Sequence, residues 1–333
     1  MASHGGTLYI AKMPPAPTWP VLCSVCANLS SHLAPGPGGR PTASCPACGS
    51  LERHRFLRLL LAAFEDRAHA GRVVLDVAPS VQLSPSIAAL NPEGYLSIDL
   101  DPGADGRLVK AAASLTRLPL TDMSVGLAIC YHVLEHVPDD KAAMLELFRV
   151  LCPDGVALVQ VPWRPGPTDE DPSAPAEERL RRFGQADHVR YYGDDFVHRL
   201  TAAGLQVQPI TPQDFLSAAT CRALGITPNE QVWICTREGT NSGSIESITA
   251  DVARAVEGLV SRAVQTWYET GVTEITRNES PVPPRTRTPL MKRIRRRAGR
   301  AKRKLKRSLG GSRTWTIHWY RFRHPGYALK TTR

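Results

Sequence analysis

Four cysteines spaced C-x2-C-x18-C-x2-C, namely Cys23, Cys26, Cys45 and Cys48, can close a tetrahedron of thiolates around one zinc ion. The alternatives for such a quartet are two disulfides or four free thiols. Pro46 and Gly49 bring turn chemistry to the second pair. With sulfur at every position the ion has no open site for a substrate, so a structural zinc is expected. Cys130, Cys152, Cys221 and Cys235 stand singly among apolar neighbours and read as buried thiols in a reducing compartment.

A second kind of chemistry resides in carboxylates that follow short apolar runs. Asp76 lies within the run Val73–Val77 and Asp99 near the end of Tyr95–Leu100. An acid at the tip of a second parallel strand can accept both hydroxyls of a ribose, which suits a dinucleotide or S-adenosylmethionine. A dinucleotide also needs G-x-G-x-x-G for close approach of its pyrophosphate. This chain reads Asp76-Val77-Ala78-Pro79-Ser80 there, which leaves S-adenosylmethionine as the better fit. His188, within Asp187-His188-Val189-Arg190, is a candidate general base, with a loop-bracing role as the equal alternative. His132 is the second candidate, placed at a strand end beside the cofactor pocket. His132 to His136 also spells H-x-x-E-H, a peptidase zinc motif, but it directly follows a strand and stops at Pro138, with no long helix to present its ligands.

Strands expected at Val73–Val77, Tyr95–Leu100, Gly126–Cys130, Val156–Val161, Leu205–Ile210 and Gln231–Cys235 alternate with helices, the pattern of a parallel sheet covered on both faces. Asp140–Val150 carries the clearest helical spacing, and a helix capped by Ser50 is expected over Leu51–Phe64.

Several segments give the chain a family resemblance. They are Leu118-Pro119-Leu120-Thr121-Asp122, the run from Ala128 through His132-Val133-Leu134-Glu135-His136 to Val137, and Arg149-Val150-Leu151-Cys152-Pro153-Asp154-Gly155. Together they resemble the class I S-adenosylmethionine-dependent methyltransferases, type 11 subgroup. The stretches from Cys45 to Arg55 and from Phe183 to Gly193 are similar to a bacterial subfamily with an N-terminal cysteine knuckle. The resemblance covers about residues 23–237 and implies an α/β fold, a Rossmann-like doubly wound sheet of seven strands. Carried over by position, Asp76, Ala78 and Pro79 would face the methionine part of the donor, Asp99 and Leu100 the ribose, Ser114 and Leu115 the adenine, and Tyr131 and His132 the sulfonium. The chain departs from the family pattern at Ala78 and Ser80, usually glycines, at Ser114, usually an acid, and at Val125-Gly126, usually Phe-Asp.

The 333 residues divide into an expected disordered leader (1–20), a zinc-ribbon-like knuckle (21–50), a class I methyltransferase domain (51–238), a helical extension (239–280) and a basic amphipathic tail (281–333). From Pro281 onward there are 18 Lys+Arg and no Asp or Glu, so the overall +10 leaves the first 280 residues at −8. Apolar residues at helical spacing in the tail, followed by Trp315, Trp319 and Tyr320, suit an anionic membrane surface through residues 285–327. The same tail could grip nucleic acid, or be a solvated extension. No apolar run is long enough to span a bilayer and no signal peptide is visible, so a cytoplasmic protein, peripheral at the membrane, is expected. The resemblance implies a small-molecule or glycan and lipid-linked acceptor. Ribosomal RNA methylation and a non-catalytic binding protein of the same fold are the rival readings.

Overall fold

A computed structural model describes residues 21–69, 71–103, 107, 109–237, 249–259 and 261. The expected leader and basic tail lie outside the described residues, so the membrane and nucleic-acid expectations attached to that tail have no structural counterpart here. Of the helical extension expected over 239–280, residues 249–259 are helical, and Val252 and Leu259 are buried.

In chain order the strands are β1 (Val21–Leu22), β2 (Leu29–Ser30), β3 (Val73–Val77), β4 (Tyr95–Asp99), β5 (Ala111–Ala112), β6 (Val125–Tyr131), β7 (Leu151–Gln160), β8 (Asp169–Glu170), β9 (Arg190–Tyr191), β10 (Leu205–Ile210) and β11 (Val232–Arg237). The helices are α1 (Glu52–Leu60), α2 (Ser84–Ala88), α3 (Asp140–Val150), α4 (Ala176–Phe183), α5 (Phe196–Ala202) and α6 (Ala218–Leu224). The 7-stranded sheet runs β10-β11-β7-β6-β3-β4-β5. Pairing is parallel from β7 to β5, whereas β11 runs antiparallel to both β7 and β10. The sheet is therefore mixed rather than wholly parallel.

Strand residues alternate strictly between two apolar layers, as a sheet covered on both sides requires. Val74, Leu127, Ile129, Val156, Leu158, Val232 and Ile234 face α1, α2 and α6. Leu75, Ala128, Cys130, Ala157, Val159, Trp233 and Cys235 face α3 and α5. The four single cysteines are all buried, and burial pushes the Cys130 and Cys235 thiols up, so they pack as small apolar side chains. β3, β4 and β6 have their carboxyl ends in register, with Asp76 beside Ile129 and Ser97, which gathers the chemistry at one edge of the sheet.

Two local expectations are revised. α1 begins at Glu52, with Leu51 as its cap residue, because Ser50 Oγ is instead 3.1 Å from Cys23 Sγ and 3.2 Å from Cys48 Sγ. The helix stops at Leu60 and continues as a 3-10 turn over Leu61–Ala68, which brings the Arg67 carbonyl against β6. That contact explains Gly126: a Cβ there would lie 2.1 Å from Arg67 O, where the β6 pairing is already irregular. Gly126→Ala is expected to destabilise the protein by about 2–3 kcal/mol, through forced separation of this turn from the sheet. Urea unfolding that shows no change in midpoint would contradict this.

Candidate functional site

The knuckle is built from two equivalent turns. Ala27 N donates to Cys23 O at 2.8 Å, and Gly49 N donates to Cys45 O at 2.8 Å. The residue after each pair, Ala27 and Gly49, is in the left-handed region at φ 59 and 73. All four sulfurs lie within 4.8 Å of one another, with Cys23–Cys48 and Cys26–Cys45 at 3.8 Å. Disulfides would need about 2.05 Å, whereas four Zn–S bonds of about 2.3 Å place sulfurs about 3.8 Å apart. The donor set and its spacing therefore fit a tetrahedral zinc. Arg55, 0% exposed, ties this unit to the domain by donating to the carbonyls of Ser50, Ala43 and Gly225. His54 Nδ1 accepts from Leu51 N, and burial pulls that imidazole down to about 3.

At the sheet edge, Asp76 is buried and its Oδ2 accepts from Tyr95 OH at 2.8 Å and Ser84 Oγ at 3.1 Å. Burial raises this carboxyl to about 6. Ala78 is at φ 50, so the turn keeps the left-handed conformation that a glycine would adopt freely, despite its Cβ. Its N–H donates to Ile98 O, and Pro79 leads on to Ser80, whose carbonyl accepts from Ser84. Asp99 accepts from Asp101 N at 3.0 Å through Oδ1, and its Oδ2 lies 2.8 Å from Arg107. A ribose diol at Asp99 would have to share or displace that guanidinium. Leu100 is 66% exposed beyond the strand. Ser114 Oγ is taken up by Thr116, at 2.8 Å from its Oγ1, and Leu115 points into the core beside Leu118. Only the Leu115 backbone is thus left for an adenine.

Beyond β6 the chain turns sharply at His132, φ 55. Tyr131 packs against the α1-side core, and its hydroxyl is buried without a hydrogen-bond partner among the described residues. His132 Nδ1 is 3.2 Å from Glu135 Oε1 and the ring borders a cavity of about 270 Å³ shared with Trp163, Tyr191 and Glu230. Burial raises the Glu230 carboxyl, and Gln160 Nε2 donates to it at 3.0 Å. His188 is 2% exposed, with Nδ1 3.1 Å from the Phe183 carbonyl. Burial lowers this imidazole, with Glu135 acting against that shift. Arg190, 1% exposed, donates to the carbonyls of Leu134, Val137 and Pro138 and holds the His132–Pro138 loop in place.

The structure thus gathers Asp76, Ala78, Pro79, Asp99 and Leu100 on adjoining strand ends, and places His132 on the cavity with His188 inside the neighbouring loop. Glu135, Glu230 and Arg107 were not singled out by sequence reasoning, whereas Arg190 was read with Asp187 and His188 as a possible loop brace. Glu135 was visible only as the acid of H-x-x-E-H, and Arg107 had no signal.

Residues 75–159 match the family model described as a methyltransferase domain. An uncharacterised methyltransferase of Mycobacterium ulcerans is 33% identical over 101 residues, 27% of this chain and 39% of that one. A Mycolicibacterium smegmatis protein described as a probable S-adenosylmethionine-dependent methyltransferase is 30% identical over 125 residues, 35% of this chain and 49% of that one. The chain spans less than half the length of these curated relatives. A SAM-dependent methyltransferase structure from Archaeoglobus fulgidus, 10% identical with a TM-score of 0.38, covers 57% of this chain and 95% of its own. The seven-stranded mixed sheet with helices on both faces is the Rossmann-like fold of class I methyltransferases. Its central segment is the one that the methyltransferase domain matches.

The Asp76 environment has a consequence for stability. The native carboxyl takes up its proton at about 6, against about 3.9 in an unfolded chain, so the folded state holds the extra proton between those values. The Asp76 contribution to stability should therefore fall as pH rises through that window, by about 3 kcal/mol in all, while His54, pulled down to about 3, contributes in the opposite sense. In Asp76→Asn the amide oxygen can still accept from Tyr95 and Ser84 and the Asp76 contribution should vanish, so the two pH curves should diverge by that amount. Urea unfolding of both proteins from about pH 4 to pH 8 tests this; parallel curves would contradict it.

Proposed function

We propose that the protein transfers a methyl group from S-adenosylmethionine to a small-molecule or glycan acceptor. The observation that carries this reading is the pair of carboxylates, Asp76 and Asp99, on the ends of adjoining parallel strands around the Ala78 turn, inside the segment that matches a methyltransferase domain. The donor, when bound, supplies an electrophilic methyl on a sulfonium. The chain's part is to hold and aim. Asp99 offers acceptors for the ribose, and Asp76 with Ala78 and Pro79 shapes the turn beneath the methionine part. Tyr131 and His132 close the side nearest the cavity. The cavity at the end of β7 is of a size for a small acceptor or the end of a larger one, and His132 and Glu230 are the groups there able to take a proton from a hydroxyl or amine. His188 would serve as base only after the loop that buries it opens.

The Asp99–Arg107 pair supports a second reading, a binding protein of the same fold that has lost the donor. Calorimetry on the full chain separates the two. Binding of S-adenosylmethionine at micromolar concentration is expected, and Asp99→Ala should weaken it by about 10-fold or more, as loss of a charge-assisted hydrogen-bond acceptor does. No heat at millimolar donor would establish the binding-protein reading, and undiminished uptake by Asp99→Ala would remove the role given to that carboxylate.

We also propose that Cys23, Cys26, Cys45 and Cys48 hold a structural zinc, a reading supported by the sulfur spacing and the paired turns. Four thiolates around a divalent ion carry net negative charge, and the Arg55 guanidinium is the cation buried beside them. Cys45→Ser should lower the thermal midpoint and abolish the thiolate-to-metal absorption of the Co²⁺-substituted protein. Retention of both would exclude the site.

A further inference from the structure

A second group of metal-ligating side chains lies away from the cysteines. One ligand atom from each of Glu135, His136 and His188 lies within 4.8 Å of the other two. Glu135 is 0% exposed and His188 2%. Among the described residues nothing hydrogen-bonds His188 Nε2, and no donor meets Glu135 Oε2. His132 faces the other carboxylate oxygen, Oε1, but Glu135 Oε2 and His188 Nε2, left in this state within a protein interior, are costly, because each has lost water without a replacement.

The outer contacts of both histidines are those of metal ligands. The Phe183 carbonyl, 3.1 Å from His188 Nδ1, places the proton on that nitrogen and leaves the Nε2 lone pair free to bind. His136 Nδ1 is 3.3 Å from Asp187 Oδ2, a carboxylate–imidazole pair that orients the ring. The two rings meet edge to face at 4.6 Å. Glu135 and His136 share the 3-10 turn Leu134–His136, and His188 comes from the loop before β9. Val189 N donates to Glu135 O at 2.9 Å and fixes the two segments side by side.

We propose that Glu135, His136 and His188 bind a divalent transition-metal ion of the zinc class. Two imidazoles and one carboxylate suit such an ion rather than Mg²⁺ or Ca²⁺, which prefer all-oxygen shells. Three protein ligands leave a further position for water or a ligand hydroxyl. His132 stands outside this group, so the ion uses the last two residues of H-x-x-E-H together with a distant histidine, not the peptidase arrangement. The ion would replace the missing hydrogen bonds of Glu135 and clamp the loop after β6 to the segment before β9. This site does not depend on the methyl-donor reading.

Titration of the full chain with Co²⁺, followed by absorption, tests the proposal. Two equivalents are expected. One should give thiolate charge-transfer absorption from the cysteine site, and the other only the weaker visible bands of nitrogen and oxygen ligands. His188→Gln and Glu135→Gln should each remove the second equivalent and leave the thiolate band intact. Asp187→Asn should weaken it by about 10–100-fold. If either buried variant fails to fold by circular dichroism, His136→Asn, at the partly exposed ligand, gives the same readout. Absence of the nitrogen-and-oxygen equivalent from the wild type, or its persistence in the ligand variants that fold, would overturn the proposal. Donor calorimetry on the same samples keeps the outcomes apart, since loss of S-adenosylmethionine binding with both Co²⁺ signals intact would count against the methyltransferase reading alone.

Discussion

A charge taken out of water must be met inside the protein, because its desolvation costs several kcal/mol and only well-placed partners repay that. The molecule is organised around this requirement. Arg55 and Arg190 are both almost wholly buried, and each spreads its donors over carbonyls of turns and loops: Ser50, Ala43 and Gly225 for one, Leu134, Val137 and Pro138 for the other. A guanidinium can do this because its five donors form a planar fork, which a lysine lacks. Each arginine therefore holds an irregular segment, the knuckle in one case and the loop after β6 in the other, in a fixed place against the sheet.

The acids follow the same rule with different outcomes. Asp76 is met by two neutral hydroxyls and responds to burial by a raised pKa, to about 6. Asp99 is met by a cation, Arg107. Glu135 is met by neither in full: burial disfavours its ionised form, yet the surrounding histidines, His132 foremost, hold its pKa below the ordinary carboxylate range. Three carboxyls within one end of a sheet thus stand in three electrostatic states, set by their neighbours rather than by their type.

Much of this architecture was legible in the sequence because a strand buried on both faces leaves a short continuous apolar run. Leu127-Ala128-Ile129-Cys130 and Val156-Ala157-Leu158-Val159 face alternate layers residue by residue, and both runs were recognisable as strands. β5 was not, being two residues of alanine with no pattern to read. The reversed direction of β11 was also hidden, since an apolar run carries no sign of its polarity. Ser50 was misread as a helix cap because a hydroxyl before a helix has the same local signature whether it faces an amide or two sulfurs. The Glu135–His136–His188 group could not be read from spacing: more than fifty positions separate His188 from the other two, and the segments are brought together by contacts such as Val189 N to Glu135 O, His136 to Asp187 and Arg190 to the loop carbonyls.

The departures from the family pattern have separate physical causes. Ala78 retains a left-handed backbone at a cost of about 1 kcal/mol, so the turn after β3 keeps its shape while a methyl fills the space a glycine would leave open. Gly126 is required by the Arg67 carbonyl, a contact made by the 3-10 turn behind it and unrelated to any ligand. Ser114 spends its hydroxyl on Thr116 and offers no carboxylate. The first two changes are structural accommodations that leave the strand ends in register. The third removes an acceptor from the end where an adenine would lie, and with it one source of discrimination among nucleosides. On the proposed donor reading, recognition there would fall to the Leu115 backbone and to Asp99, whose partner Arg107 would have to share or yield that carboxylate. The energetic burden of holding a nucleoside would then be concentrated on one ion pair instead of being shared between two carboxylates.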